Sequence, residues 1–265
     1  MMETNLKKWK QHSKKLIPVT NSFLIKLRKL KLSIHQPDFW PWAGLFHKIA
    51  CSDKFVIFDS VQAPRGKSWL TRNQILLNGS PTWITLPIFR ASNQKIFDVK
   101  INHQVNYRAK HLGTMRQAYV KSPYFCEVFE FVEEIYAEKH ELARDLSLSI
   151  IKGVCQKLGI KTKFIEIQTL FALSDLSELR GNDLILEICK LCQASSYLSG
   201  TGCLDFIKPE EFSKNGITFE FQDFVQLEYA QIGTQDFHPS MSILDLLYNL
   251  GFEQTATRVK GNSAF

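Results

Sequence analysis

His35 and Gln36 are the first residues of the chain that could do chemistry. They end a short apolar run in the stretch LSIHQPDFWPWAGLFHKIA, residues 32 to 50. An imidazole with an ordinary pKa of about 6.5 can exchange a proton at neutral pH. The amide of Gln36 can hold a carbonyl or a sugar hydroxyl. We therefore predict a catalytic role for both, the alternative for His35 being a hydrogen bond to a backbone carbonyl that only supports the loop.

Asp59 is predicted to be the acidic partner of His35. It ends a second apolar run, KFVIFD, and the segment between the two runs has the length of a β–loop–α–β unit. Both side chains would then lie at the carboxyl edge of a parallel sheet, where ligands bind in open α/β folds. Asp59 could orient the imidazole, bind ribose hydroxyls or cap a loop. Lys48, six residues after Trp42, is expected to lie off this site.

A second group of residues has side chains or backbone suited to binding a substrate. It combines flat aromatic faces, basic groups that suit phosphate, a glycine-bearing SGTG loop and polar residues at strand ends. The candidate substrate-binding residues are Trp42, Gln62, Trp69, Arg72, Asn73, Lys110, His111, Ser199, Gly200, Gly202, Asp205, Gln222 and Asp223. Individually, the basic residues could equally be solvated surface charges, and the glycine loop could be an ordinary turn.

The sequence contains no GxGxxG, Walker A or GxSxG motif and no metal-ligand spacing. We therefore predict no dinucleotide cofactor, no metal and no serine nucleophile. The six cysteines lie in apolar or helical contexts, which predicts free thiols in a reducing compartment. The CxxC pair Cys189 and Cys192 falls on a helical pattern and is interpreted as part of the core.

The positive charge is concentrated at the start of the chain. Residues 1–31 hold nine Lys and Arg residues against Glu3, a net charge of +8, so the remainder carries −1 of the total +7. This distribution argues against a nucleic-acid-binding body. The basic N-terminal extension is either a poorly ordered segment or a peripheral helix on an anionic membrane surface. With no secretory signal and no apolar run of about 18 residues, we expect a cytoplasmic protein with, at most, weak contact at the inner membrane face.

Residues 32–265 are predicted to form one α/β domain. Strands are expected at 30–34, 54–59, 162–167, 195–200 and 217–224, with helices between them, one of which begins at Pro41. This alternation predicts a mostly parallel, Rossmann-like sheet covered by helices. Residues 74–138 interrupt it with a β-hairpin at Asn78-Gly79 and two helices separated near Ser122-Pro123, an insertion or a cap over the site. A late helix is expected to be capped by Gly251.

Several separated motifs resemble the WbqC-like proteins. They are IHQPDFWPWAGLFHKIACSDKFVIFDSVQ, SWLTRNQI, RAKHLGTMRQAYVKSPYF, SSYLSGTGCLDFI, GITFEFQDF and HPSMSILDLLYNLG, and they occur in the family's order between residue 32 and about residue 257. The chain departs from the family pattern at Cys203, where a more polar residue is common, and in a longer QLEYAQIGTQDF segment.

The resemblance implies an aminoacyl or acyl transferase of glycine type. Its substrate would be an amino sugar or sugar nucleotide in bacterial surface-polysaccharide (O-antigen-type) biosynthesis. Two alternatives remain. One is a non-catalytic protein that binds sugar nucleotides or carbohydrate. The other is an ATP-dependent adenylate-forming ligase, by analogy with enzymes that carry an HxGH motif. The HQPD segment of this chain contains one of the two histidines of that motif. ATP or an activated acyl donor is accordingly the expected co-substrate.

Overall fold

The computed structural model describes residues 29–203 and 207–261. Its strands are β1 (Lys31–His35), β2 (Lys54–Ile57), β3 (Arg72–Leu77), β4 (Ser80–Thr85), β5 (Lys163–Glu166), β6 (Ser196–Ser199) and β7 (Thr218–Phe221). Its helices are α1 (Ala43–Ala50), α2 (Tyr107–Tyr119), α3 (Phe125–Ala137), α4 (Ala143–Lys157), α5 (Ile167–Phe171), α6 (Gly181–Leu191), α7 (Pro209–Lys214) and α8 (Ile243–Lys260). Short 3-10 turns occupy Ile96–Asp98 and Thr201–Cys203.

Five strands form a parallel sheet in the order β5-β2-β1-β6-β7. The chain builds outward from β1 to β2 and β5, then returns to the other side of β1 for β6 and β7. This is the doubly wound, Rossmann-like order, and it confirms the predicted fold class. The direction of winding reverses between β1 and β6, so a crevice is expected at their carboxyl ends.

The sheet is covered on both faces, as its apolar strands require. Phe55 and Ile57 of β2 face a core shared with α1, α3, α4 and α8. Leu32, Ile34 and Val56 point to the opposite face, which α5, α6 and α7 cover. Helices thus bury alternate residues of the same strands on the two sides.

The predicted insertion after β2 is present. β3 and β4 pair antiparallel through the two-residue turn Asn78-Gly79, whose φ angles of 52° and 74° are those of a type I′ hairpin turn. α2 and α3 follow and are separated at Ser122-Pro123 as predicted. Buried residues of this insertion belong to the same core cluster as α1 and α8, so the insertion packs onto the sheet domain.

One predicted helix boundary is wrong. The first helix begins at Ala43 rather than Pro41, because the Pro41 carbonyl accepts a hydrogen bond from Ile243 N (2.8 Å) at the start of α8. The last helix is interrupted at Gly251, as predicted, and a second helical stretch continues to Lys260. Gly251 has φ 71° and forms a kink, and a Cβ there would lie 2.5 Å from the Tyr124 ring, which explains the glycine.

The predicted basic segment lies outside the described residues except for Lys29, Leu30 and Lys31, and Lys31 already belongs to β1. All six cysteines are free, and Cys189 and Cys192 are buried on α6 or directly after it. Over the two described ranges, none of the helices has the length and apolar character needed to span a bilayer.

Candidate functional site

A cavity of about 720 Å³ opens at the carboxyl ends of β1 and β6, where the direction of winding of the chain reverses. This volume is in the range of small-molecule sites. Its lining combines apolar and polar groups: Ile34, His35, Gln36, Asp38, Trp42, Gly44, Leu45, Lys48, Phe58, Pro64, Ser68, Trp69, Leu70, Asn73, Ile185, Tyr197, Ser199, Gly200, Gly202, Cys203, Gln222 and Ser240.

His35 ends β1 and presents a neutral imidazole to this cavity. Its Nδ1 lies 2.9 Å from the Gln36 carbonyl oxygen, which can only accept a hydrogen bond, so Nδ1 carries the proton. Burial and the nearby charge of Lys48 lower the pKa of His35 to about 4. At pH 7 the ring is therefore neutral, with its lone pair on Nε2.

Lys48 lines the cavity, so the prediction that it lies off the site is wrong. It is 4% exposed, lines the cavity from α1 and donates a hydrogen bond from Nζ to the Ile34 carbonyl (2.9 Å). Burial lowers the pKa of its amine to about 8, while Cys203 and Asp38 act in the opposite direction. Gly44 is four residues before Lys48 on the same helix face and also lines the cavity. This i, i+4 spacing, rather than the distance from Trp42, would have identified Lys48.

Asp38 is a second cavity residue that the sequence prediction missed. Its Oδ2 is 3.8 Å from Nδ1 of His35, three residues earlier in the chain. Burial raises the pKa of Asp38 to about 7, although the Lys48 charge opposes this rise. Imidazole, ammonium and carboxyl groups therefore converge in one cavity, and two of them have pKa values near neutrality, as is common at functional sites.

The loop between β1 and α1 is held by contacts that explain its unusual composition. Trp40, with φ 43°, is fully buried, and its Nε1 donates to the Tyr136 hydroxyl (2.9 Å). Asn73 donates from Nδ2 to the Trp40 carbonyl (2.7 Å), so it lines the cavity mainly as a support for this loop. Trp42 forms a wall of the cavity above Gly44, where a Cβ would lie 2.2 Å from the indole ring.

The opposite wall comes from the loops after β6 and β7. Ser199 Oγ lies 2.6 Å from Cys203 Sγ, and the thiol also donates to the Gly200 carbonyl (3.1 Å). Gln222 closes this side and donates from Nε2 to the Gly44 carbonyl (2.7 Å). Gly202 also lines the cavity. Asp205 lies outside the described residues.

Asp59 does not pair with His35, contrary to prediction. It is fully buried and forms an ion pair with Arg144 (Nε–Oδ2 2.8 Å), and it accepts a hydrogen bond from Gln168 Nε2 (2.7 Å). Arg144 and Gln168 lie on α4 and α5, next to β5, on the side of β2 away from β6. Asp59 is not among the residues that line the cavity, although its neighbour Phe58 is, so Asp59 is a structural ion-pair partner.

The remaining predicted binding residues fall into two groups. Trp69 lines the cavity, and its ring centroid lies 5.7 Å from that of Trp83. Arg72 stacks over Trp83 at 3.8 Å and is not a lining residue. Four other candidates also lie outside the lining: Gln62, Lys110, His111 and Asp223.

His111 and Gln62 have structural partners instead. His111 is 3% exposed and contacts the Tyr136 hydroxyl (3.0 Å) and the Thr85 carbonyl (3.1 Å), as a core histidine. Gln62 forms a β-bridge with Lys95. Lys110 is exposed on α2, and the charge of Asp223 acts on His47 rather than on the cavity groups.

The fold and the cavity define a Rossmann-like α/β protein with a small-molecule pocket at its topological switch point. The chain belongs to the WbqC-like protein family, whose model matches residues 36–257. It is 28% identical over 227 residues to the uncharacterised protein Rv1507c of Mycobacterium tuberculosis (strain ATCC 25618 / H37Rv), covering 84% of this chain and 95% of that protein. No solved structure matches significantly.

Proposed function

We propose that this protein is an aminoacyl or acyl transferase that modifies an amino sugar during bacterial surface-polysaccharide synthesis. The observation that carries the proposal is a neutral imidazole, with its unprotonated Nε2, in a cavity of small-molecule size at the reversal of the sheet. The polysaccharide context rests on the resemblance to the WbqC-like proteins.

The chemistry assigned to His35 is general base catalysis. The amine of the sugar attacks the acyl carbon of an activated donor, a C–N bond forms, and the bond from that carbon to the leaving group breaks. Nε2 of His35 accepts the proton from nitrogen and returns it to the leaving group. A pKa of about 4 lies below the near-neutral value that is optimal for general base catalysis at pH 7, so we expect the contribution of His35 at the lower end of the usual range of roughly 10²–10⁴-fold.

The remaining lining fits the binding of a sugar. Trp42 and Trp69 offer aromatic faces, and Trp69 is 52% exposed, so a substrate ring can reach it. Gln36 and Ser68 supply polar groups for hydroxyls. The activated acyl group would arrive either as a preformed donor or by way of ATP.

A second candidate function is carbohydrate binding without catalysis. It is favoured by the same low pKa of His35, which weakens this imidazole as a base. Under this alternative the cavity would bind an amino-sugar nucleotide, and loss of His35 would leave the binding largely intact.

The test combines a transfer assay with a binding assay. The full chain is incubated with UDP- and dTDP-linked amino sugars and either acyl thioesters or ATP with glycine, and products are followed by mass. We expect His35→Gln to lower transfer by about 100-fold or more with an unchanged melting temperature. His103→Gln, which lies outside the cavity, is the matched control and should retain activity.

Two results would contradict the proposal. Full transfer by His35→Gln would remove the assigned base. If the wild type gives no product with any donor, while sugar-nucleotide binding persists in His35→Gln, the carbohydrate-binding alternative is favoured.

A further inference from the structure

Among the described residues that line the cavity, Lys48 is the one lysine or arginine. Across the described ranges its ammonium donates one hydrogen bond, to the Ile34 carbonyl. An ammonium has three N–H donors, and a buried cation with so few partners is costly unless a ligand completes its environment.

Gly200 leaves the amine open on the side of the loop after β6. A Cβ at this position would lie 3.8 Å from Nζ of Lys48, and among the described residues, apart from Gly200 and its two chain neighbours, no other heavy atom would lie within 4 Å of it. Both residues line the cavity. The absence of a side chain at position 200 therefore preserves space directly beside the ammonium.

We propose that Lys48, together with the space that Gly200 leaves beside its amine, binds one oxyanion of the substrate, a carboxylate or a single phosphate group. This inference rests on the proposed function, since the oxyanion would belong to the acyl donor or to the sugar nucleotide. A single ammonium matches a single negative charge, and it lies in a low-dielectric cavity where that attraction is strong. His35 and Lys48 would then hold separate parts of the bound molecules.

The ionisable groups that act on Lys48 define how this binding depends on pH. Asp38 and His35 belong to β1 and the loop after it, and Cys203 belongs to the loop after β6. An oxyanion favours protonated Lys48 and protonated Asp38, whose pKa values are about 8 and about 7. Affinity should therefore be greatest at or below pH 7 and fall as the pH rises to 9, with protons taken up on binding.

The test is direct titration of the full chain, independent of turnover. The probes are inorganic phosphate, UDP and N-acetylglycine, which separate phosphate from carboxylate sources. The binding of each probe is measured by calorimetry at pH 7 and pH 9, in two buffers of different ionisation enthalpy. The variants are Lys48→Met, which keeps the chain length without the charge, and Lys48→Arg, which keeps the charge. Lys110→Met removes an exposed lysine outside the cavity and serves as the matched control.

We expect at least one probe to bind, with proton uptake and weaker affinity at pH 9. Lys48→Met should weaken that binding at least tenfold, Lys48→Arg less, and Lys110→Met less than twofold. The inference is overturned if no probe binds, if Lys48→Met binds as tightly as the wild type, or if Lys110→Met loses as much affinity. Unchanged binding by Lys48→Met would leave the role assigned to His35 intact, because the transfer assay tests that role separately.

Discussion

Replacing Lys48 with methionine should make the fold more stable at neutral pH. The pKa of a lysine amine falls from 10.5 in the unfolded chain to about 8 in the folded protein because the amine is buried. This difference corresponds to about 3 kcal/mol of unfavourable free energy for carrying the charge in the folded state at pH 7. Methionine has nearly the same length and carries no charge.

Two compensating losses reduce this gain. The Ile34 carbonyl loses its hydrogen bond from Nζ, which costs about 1 kcal/mol. Asp38 loses a favourable charge interaction, although much of it is protonated at pH 7. We therefore expect a net stabilisation of about 2 kcal/mol, or an increase in melting temperature of roughly 4–8 °C for a chain of this size.

The dependence on pH distinguishes this explanation from better packing alone. A depressed lysine pKa means that the unfolded chain holds the proton more tightly. The charge cost is therefore fully present below about pH 8 and is lost as the pH rises toward 10.5. The difference in stability between Lys48→Met and the wild type should shrink between pH 7 and pH 10.

Urea denaturation at several pH values would measure this difference. Lys110→Met, an exposed lysine, should change stability by less than about 0.5 kcal/mol. If Lys48→Met is less stable than the wild type at pH 7, or if the difference does not vary with pH, then the amine is a structural hydrogen-bond donor and our account of its burial is wrong.

Three further substitutions test other parts of the structure. Asp59→Asn breaks the buried ion pair with Arg144 and should lower the free energy of unfolding, measured by urea denaturation, by about 3 kcal/mol. It should leave ligand affinity unchanged, and altered affinity would contradict the structural role. Asp245→Ala removes an acceptor used by two tyrosine hydroxyls and one glutamine. Calorimetry should therefore show that the free energy of unfolding falls by at least about 3 kcal/mol. A smaller decrease would mean that water replaces the carboxylate. Gly44→Ala should displace the Trp42 ring, change tryptophan fluorescence and weaken ligand binding, whereas unchanged affinity would exclude Trp42 as a cavity wall.

The fold was predictable because its signals are local. Alternation of apolar strands with helical patterns predicts a parallel sheet, and the hairpin turn at Asn78-Gly79 needs positive φ angles that these residues tolerate. The order of the strands across the sheet is not a local property. β1 and β2 are neighbours in the sheet, so Asp59 and His35 do end at the same edge. The sequence does not show that the Asp59 carboxylate instead pairs with Arg144 and Gln168, which are distant along the chain.

The site was predictable only in part, for a related reason. His35, Gln36 and Ser199 follow from their positions at strand ends, Trp42 and Trp69 from their aromatic faces, and the structure brings all five to one cavity. The burial of Lys48 depends on residues distant in sequence, so composition alone suggests a solvated charge. The same holds for His111, whose core position is created by contacts with Thr85 and Tyr136.

The pairing of the central strand β1 has a consequence for synthesis of the chain. Leu32 pairs with Tyr197, 165 residues further along, whereas its partner on the other side, Lys54, is only 22 residues away. At about 5–20 residues per second, a ribosome needs roughly 8–33 s to proceed from Leu32 to Tyr197. During that interval one hydrogen-bonding edge of an apolar strand stays bare, a template for intermolecular pairing. We expect the nascent chain to depend on chaperones until β6 and the residues that follow it, including Ser199 and Gly200, have been translated.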